Sequence, residues 1–300
     1  MKKHPFIFGF LIMIFLCILF AICIWVIGNS GQLNTLMPGG EKVVVVKIEG
    51  VITDSGPVIE KLDKIKNNDD VKAVVLRIDS PGGSVAPSQE IYEELIKMRE
   101  KKTIVASFGS VAASGGYYIA SAAHKIIANP GSITGSIGVI IEFANIEELI
   151  GKIGLKSVVI KSGKYKDILS PTRELESAER GLIQGVIDSI HSQFIDAVAL
   201  GRDIEREKIA AIADGRIFSG EQAKEQGLVD ELGNLQDAIK KAAEIAGIEG
   251  DPKVIYPAKE KPSILEFLLE GSMNEIQQVI SKNIFKAEYI SCCLSVGVVQ

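Results

Sequence analysis

Residues 71–84 read VKAVVLRIDSPGGS and residues 103–118 read TIVASFGSVAASGGYY. In each stretch an apolar run empties into a cluster of small residues, and a segment able to form a helix follows. Val71 to Ile78 reads as a strand that ends in Asp79-Ser80-Pro81-Gly82-Gly83-Ser84. Ile91, Leu95, Ile96 and Met98, set among Glu and Lys, mark an amphipathic helix from about Pro87 to Lys101. Thr103 to Ala106 is the next strand, and it leads to Ser114. Strand, glycine turn, helix, strand, glycine turn, helix is the order of a parallel α/β layer. Loops at the strand ends of such a layer gather on one side, so both glycine turns are expected at one site.

Working outward, Val43 to Ile48 is almost continuously apolar and predicts a strand buried on both faces, with a short helix over Val58–Lys66 after it. His124 to Ala128 is another short strand, and residues 129–138 form a small-residue loop. Asn145 to Ile153 reads as a helix capped by Asn145, with Glu147 and Glu148 in its first turn. Ser157 to Lys161 predicts a strand that opens into the loop Ser162–Pro171. Leu182, Ile183, Val186, Ile187, Ile190, Phe194, Ile195 and Val198 hold helical spacing, so Glu176–Gly201 is expected to be a long helix packed along one face. Helices follow near Glu205–Ala213, Glu221–Gln226 and Leu235–Ala246, then a last strand near Lys253–Tyr256 and an amphipathic helical pattern over Ser263–Phe285. No repeat of solenoid length is present.

Phe6 to Ile27 carries no charge and is long enough to cross a hydrocarbon core of about 30 Å as a helix. A secretory signal would have a shorter apolar region and a small-x-small cleavage site, and residues 25–30 offer none, which favours an uncleaved anchor. Lys2, Lys3 and His4 precede the span, so the short end is expected in the cytoplasm and the remainder outside it. The expected organisation is a cytoplasmic N-terminus over 1–5, a transmembrane anchor over 6–27, a linker over 28–40, a globular domain over 41–250 and a tail over 251–300. A net charge of −5 gives no electrostatic reason to expect nucleic acid as a partner. Of the four cysteines, Cys17 and Cys23 lie in the span and Cys292 and Cys293 are adjacent in the tail. They make neither a disulfide framework nor a metal-ligand spacing. Neither a metal nor a cofactor is expected.

Ser114 sits where a strand turns into a helix, among small residues that let a substrate backbone approach, with helix-start amides able to donate to developing negative charge. As a nucleophile it needs a base. The three histidines are His4 beyond the span, His191 inside the long helix and His124 at the start of a buried strand, and only His124 is a credible partner. A lysine can replace histidine if its amine is neutral, which burial favours. Most lysines lie on amphipathic helix faces, whereas Gly163-Lys164-Tyr165-Lys166-Asp167 carries a pair on a loop after a strand. Chemistry alone does not choose between Lys164 and Lys166.

Four segments in order, Ser80–Ser84, Ala112–Tyr118, Thr134–Val139 and Gly163–Ile168, resemble the signal peptide peptidase A family (peptidase family S49), membrane-anchored Ser/Lys proteases of the Clp-protease/crotonase fold. The resemblance covers about Val43 to Ala246, plus the N-terminal anchor in kind. It implies an α/β fold of repeated ββα units, with Ser114 as nucleophile, Lys166 as general base and Ser136 as the hydroxyl that orients the lysine amine. It also implies that the amides of Gly83 and Gly115 form the oxyanion hole, and that Lys164 lies at the surface or touches substrate. The implied protein is a homo-oligomer in the cell membrane, single-pass, with an extracytoplasmic catalytic domain and a dyad shared between subunits. Its substrates would be remnant signal peptides and other apolar peptides. The alternatives are a crotonase-like acyl-coenzyme A enzyme and a non-catalytic membrane scaffold. The tail after Pro252 lies outside the resemblance.

Overall fold

The computed structural model describes residues 13–16, 18–20 and 41–257, and the backbone of 288–290. The linker over 28–40 and the helical pattern over 263–285 lie outside them. So does the expected span, apart from helical backbone at 13–16 and 18–20, whose side chains are exposed. Among the described residues no helix is long and apolar enough to cross a membrane. Everything below concerns the unit that begins at Glu41.

Its strands are β1 (Lys42–Glu49), β2 (Val71–Ser80), β3 (Gly82–Ser84), β4 (Thr103–Ala113), β5 (Lys125–Ala128), β6 (Ile133–Gly135), β7 (Ile217–Ser219), β8 (Glu231–Leu232), β9 (Lys253–Ile255) and β10 (Glu288–Ile290). Its helices are α1 (Gly56–Lys66), α2 (Val85–Arg99), α3 (Gly115–Ala120), α4 (Glu147–Lys152), α5 (Ser177–Arg202), α6 (Arg206–Ile212), α7 (Gly220–Glu225) and α8 (Leu235–Ile245). The main sheet runs β9-β1-β2-β4, after which β4 pairs with β5 along its first half and with β6 at its end. Every pairing in it is parallel except β6 with β7. β2, β3 and α2 form a ββα unit, whereas only one strand precedes α3.

The alternation of side chains along the strands divides the core in two. Val44, Val46 and Ile48 of β1, Val74, Leu76 and Ile78 of β2, and Ile104, Ala106 and Phe108 of β4 face one side, packed with α1, α2, α3 and α5. Val43, Val45, Ala73, Val75 and Val105 face the other, against Ala238, Ile239, Ala242 and Ala243 of α8. Each fully buried Val, Leu or Ile contributes about 1.5–3 kcal/mol of transfer free energy. Helices on both faces explain why β1 and β2 are apolar without alternation.

The structure departs from four expectations. The strand beginning at Thr103 runs on to Ala113, with a bulge at Gly109 and Ser110 before pairing resumes at Val111, and the turn is confined to Ser114. The 129–138 loop contains β6, which is short because its ladder covers only the last three residues of β4. Residues 157–161 form no strand: Val158 is 84% and Ile160 98% exposed, β-forming residues with no neighbour to pair with. The long helix is also packed over part of its length only. Phe194, Ile195 and Val198 are buried near its end, while Leu182 and Val186 near its start are half exposed.

Candidate active site

At the end of β4 the chain reverses through Ser114, which has φ 54° and ψ −120°. Strain of this kind costs about 1–3 kcal/mol and persists only where the surroundings hold it. The Ser114 N–H donates to the Gly135 carbonyl and the Ser114 carbonyl accepts from Tyr118 N–H, each at 2.8 Å. This sharp strand-to-helix turn is the backbone form that presents a nucleophilic serine in other α/β enzymes. The α3 helix behind it is fixed by Tyr117, whose hydroxyl donates to the Leu228 carbonyl at 2.8 Å. Burial pushes that phenol well above its usual range. Tyr118 stacks at 5.0 Å between Tyr92 of α2 and Phe194 of α5. Ser114 is 1% exposed, and its Oγ has no hydrogen-bond partner among the described residues. Leaving a buried hydroxyl unpaired costs about 1–3 kcal/mol.

Sheet register delivers Ser136 to the same place. Ala113 lies opposite Gly135, so the next residues on the two strands are Ser114 and Ser136. Ser136 also has a positive φ, 51°, and is buried, with its N–H donating to the Arg216 carbonyl at 2.8 Å. The third component is β3, against which α3 packs. Gly82 O accepts from Ile52 N–H at 2.9 Å, and Ser84 N–H donates to Ile52 O at 2.7 Å. Strand alternation then turns the N–H of Gly83 itself toward the opposite edge. A Cβ on Gly83 would lie 2.2 Å from the Ile52 carbonyl oxygen, so only glycine permits this approach. Gly115, as the first residue of α3, has an N–H without an intrahelical acceptor. Along the outer edge of β3 runs β10, antiparallel, with Tyr289 opposite Gly83.

Ser114, Ser136, Gly83 and Gly115 therefore converge. Lys166 does not join them within one chain: it is exposed, on a turn closed by its N–H to the Gly163 carbonyl at 3.2 Å, and makes no hydrogen bond to Ser114 Oγ. Lys164 is exposed too, its Nζ 5.1 Å from the centre of the Tyr165 ring. His124 is committed elsewhere, since its Nδ1 accepts from Ile104 N–H at 3.0 Å. Burial holds it below the usual histidine range. Ile104 and Ser114 are at opposite ends of β4, about 30 Å apart at ~3.3 Å per residue. Among the described residues no group of His, Cys, Asp and Glu is arranged to hold a metal ion.

One cluster escaped the sequence reading. Arg173 joins Asp167, the neighbour of Lys166, to Glu179 in the first turn of α5. The capping box made by Glu176 and Glu179 marks the start of α5 in the sequence, but the spacing of Asp167, Arg173 and Glu179 does not mark the clamp.

The family description "Peptidase family S49" matches residues 96–249, and "Clp protease" matches residues 41–133. A Synechocystis protein provisionally named a protease is 45% identical over 84% of this chain and 91% of its own length. An Enterococcus faecium protein provisionally named signal peptide peptidase SppA is 38% identical, over 66% of this chain and 62% of that one. Protease 4 of Salmonella typhi is 37% identical over 71% of this chain and 34% of its own length. These matches set aside an acyl-coenzyme A enzyme and a non-catalytic scaffold. With a Clp-protease-like α/β fold and a mixed sheet, the chain belongs to peptidase family S49 and is a serine peptidase of the SppA type.

Proposed function

We propose that this peptidase is a membrane-anchored endopeptidase, in which Ser114 attacks the scissile carbonyl and Lys166 of a neighbouring copy is its general base. The observation that carries the reading is the Ser114 Oγ, buried, unpaired and held on a strained turn. The neutral Lys166 amine would take the Ser114 proton as Oγ bonds to the carbonyl carbon, and the carbonyl π pair would move to oxygen. The Gly83 and Gly115 amides would donate to that oxygen. On collapse the peptide C–N bond breaks, and the lysine returns the proton to the leaving amine. Water, activated by the same lysine, then releases the acyl group. Ser136 would accept or donate beside the amine and keep it aimed at Ser114.

Two features support a shared dyad. The arm that carries Lys166 is exposed along its length, and Ile153, Leu155, Val158 and Ile160 are 60–98% exposed on it. A contiguous apolar stretch of this kind is characteristic of a surface covered by another chain. The pairing of β10 on β3 supports an extended peptide as ligand, because the same edge would accept a substrate strand by backbone hydrogen bonds. The uncharged stretch Phe6–Ile27 supports a single-pass anchor with the catalytic unit outside the cytoplasm, next to the apolar peptides left in the bilayer by signal cleavage.

The test is fluorophosphonate labelling and peptide turnover of the purified full-length oligomer. Labelling should be lost in Ser114→Ala, and turnover should fall to background in Lys166→Ala with the oligomer intact. Near-normal turnover in Lys166→Ala would reject the dyad, whereas replacement of Lys164 should cost little.

A further inference from the structure

The loop bearing Lys166 is built from local turns: Lys166 N–H to Gly163 O, Ile168 N–H to Tyr165 O and Ser170 N–H to Asp167 O, at 3.0–3.2 Å. Turns of this kind give a shape but not a position relative to the core. Beside the buried side chain of Leu169, Arg173 supplies the hydrogen-bonded connection between this loop and the start of α5. Its Nε donates to Asp167 Oδ2 at 3.0 Å, and its Nη2 donates to Asp167 Oδ1 and to the Asp167 carbonyl, each at 3.1 Å. On the other side the guanidinium grips Glu179, with Nη2 to Oε1 at 2.5 Å and Nη1 to Oε2 at 2.8 Å. The Glu179 side chain is 2% exposed, and its Oε2 also accepts from Glu176 N–H at 3.0 Å, so it is fixed at the start of α5. That helix ends in the core through Phe194 and Val198. Lys161 adds a second cation on Asp167 Oδ1 at 2.5 Å.

We infer that Arg173 is a positioning residue for the lysine base, clamping Asp167 to Glu179 so that the Lys166 loop is registered on α5. The inference rests on the reading of Lys166 as that base. The clamp has the planar fork that two carboxylates require, which lysine cannot reproduce. A base that must reach a serine on another subunit depends on its own loop to bring the amine within range of Ser136 and Ser114 there, and a misplacement of about 1 Å can cost on the order of 100-fold in rate.

The experiment is a double-mutant cycle on the full-length oligomer, read by fluorogenic-peptide kcat and KM and by the rate of fluorophosphonate acylation of Ser114. Arg173→Lys should lower kcat by about 10- to 100-fold, leaving KM within about twofold, the oligomeric mass unchanged and the protein folded at the assay temperature. In the Lys166→Ala background the same substitution should change the residual acylation rate by less than about twofold, because there is no base left to misplace. Glu179→Gln, which keeps an acceptor for Glu176 N–H, should act in the same direction and serves as the second variant if Arg173→Lys fails to fold. An equal loss in both backgrounds would overturn positioning in favour of a structural role, as would unchanged kcat. Full turnover in Lys166→Ala alone would instead reject the identity of the base, before Arg173 is altered.

Discussion

Four non-glycine residues among those described have positive φ: Ser114, Ser136, Leu169 and Asp203. Asp203 ends α5 as a left-handed cap, an ordinary place for this conformation. The other three are the two paired serines and a buried residue of the lysine loop. Strain is thus gathered where the chemistry is proposed, and the fold holds it there through backbone bonds. The ion pairs of the lysine loop carry their own pH signature. The hydrogen bond from Arg173, opposed by burial, brings Glu179 down from 4.5 to about 2, and Arg173 and Lys161 hold Asp167 well below the usual carboxylate range. A depressed carboxyl stabilises the fold fully above its unfolded value and loses that contribution as pH falls through the folded value. Denaturant unfolding measured from pH 4.5 down to about 2 should show a steep fall in stability. Glu179→Gln should flatten it, and an unchanged slope would mean that the clamp contributes nothing to acid stability.

At the scale of elements, β3 is the most constrained piece, being bonded to Ile52 on one side and to β10 on the other. A Cβ at Gly83, 2.2 Å from Ile52 O and 2.6 Å from Ile52 N, would push the two backbones apart and move the Gly83 amide. Gly83→Ala should therefore lower kcat by roughly 10²–10³, the loss expected for one oxyanion donor. Circular dichroism should be unchanged, because β3 lies outside the main sheet. An active Gly83→Ala would remove this amide from the mechanism. The elements whose local pattern and burial agree, β1, β2, α1, α2 and α8, were legible in the sequence. Neither the full extent of β4 nor the presence of β6 was, since Gly109 and Ser110 form a bulge between the paired parts of β4, and the three residues of β6 follow the turn-like Gly131 and Ser132. The segment 157–161 fails in the opposite sense, having strand propensity with no edge to join. Of the site, the small-residue turns announced themselves by composition. The clamp of Arg173 did not, because three charged residues at equal spacing look like any solvated surface until their contacts are known.

For the molecule as a whole, the arm from Ile140 to Ile160 carries a run of apolar side chains that stand exposed among the described residues, the surface on which the proposed assembly would close. If the proposed assembly forms through this arm, replacing Val158 and Ile160 with aspartate should shift the protein to monomer in analytical ultracentrifugation, and fluorophosphonate labelling of Ser114 should fall with it. Monomers that label at the full rate would contradict a base supplied by a neighbour. The strand β10 has a different consequence, which concerns competition. A segment joined to the same chain stays near the edge of β3 at an effective concentration set by its tether, which for short connections reaches millimolar. Any incoming peptide meets an edge that is already taken, and its apparent affinity is reduced by the fraction of time that edge stands vacant. The tail would thus act as a built-in competitor, raising the peptide concentration needed for half-maximal turnover while leaving the turnover of bound peptide unchanged.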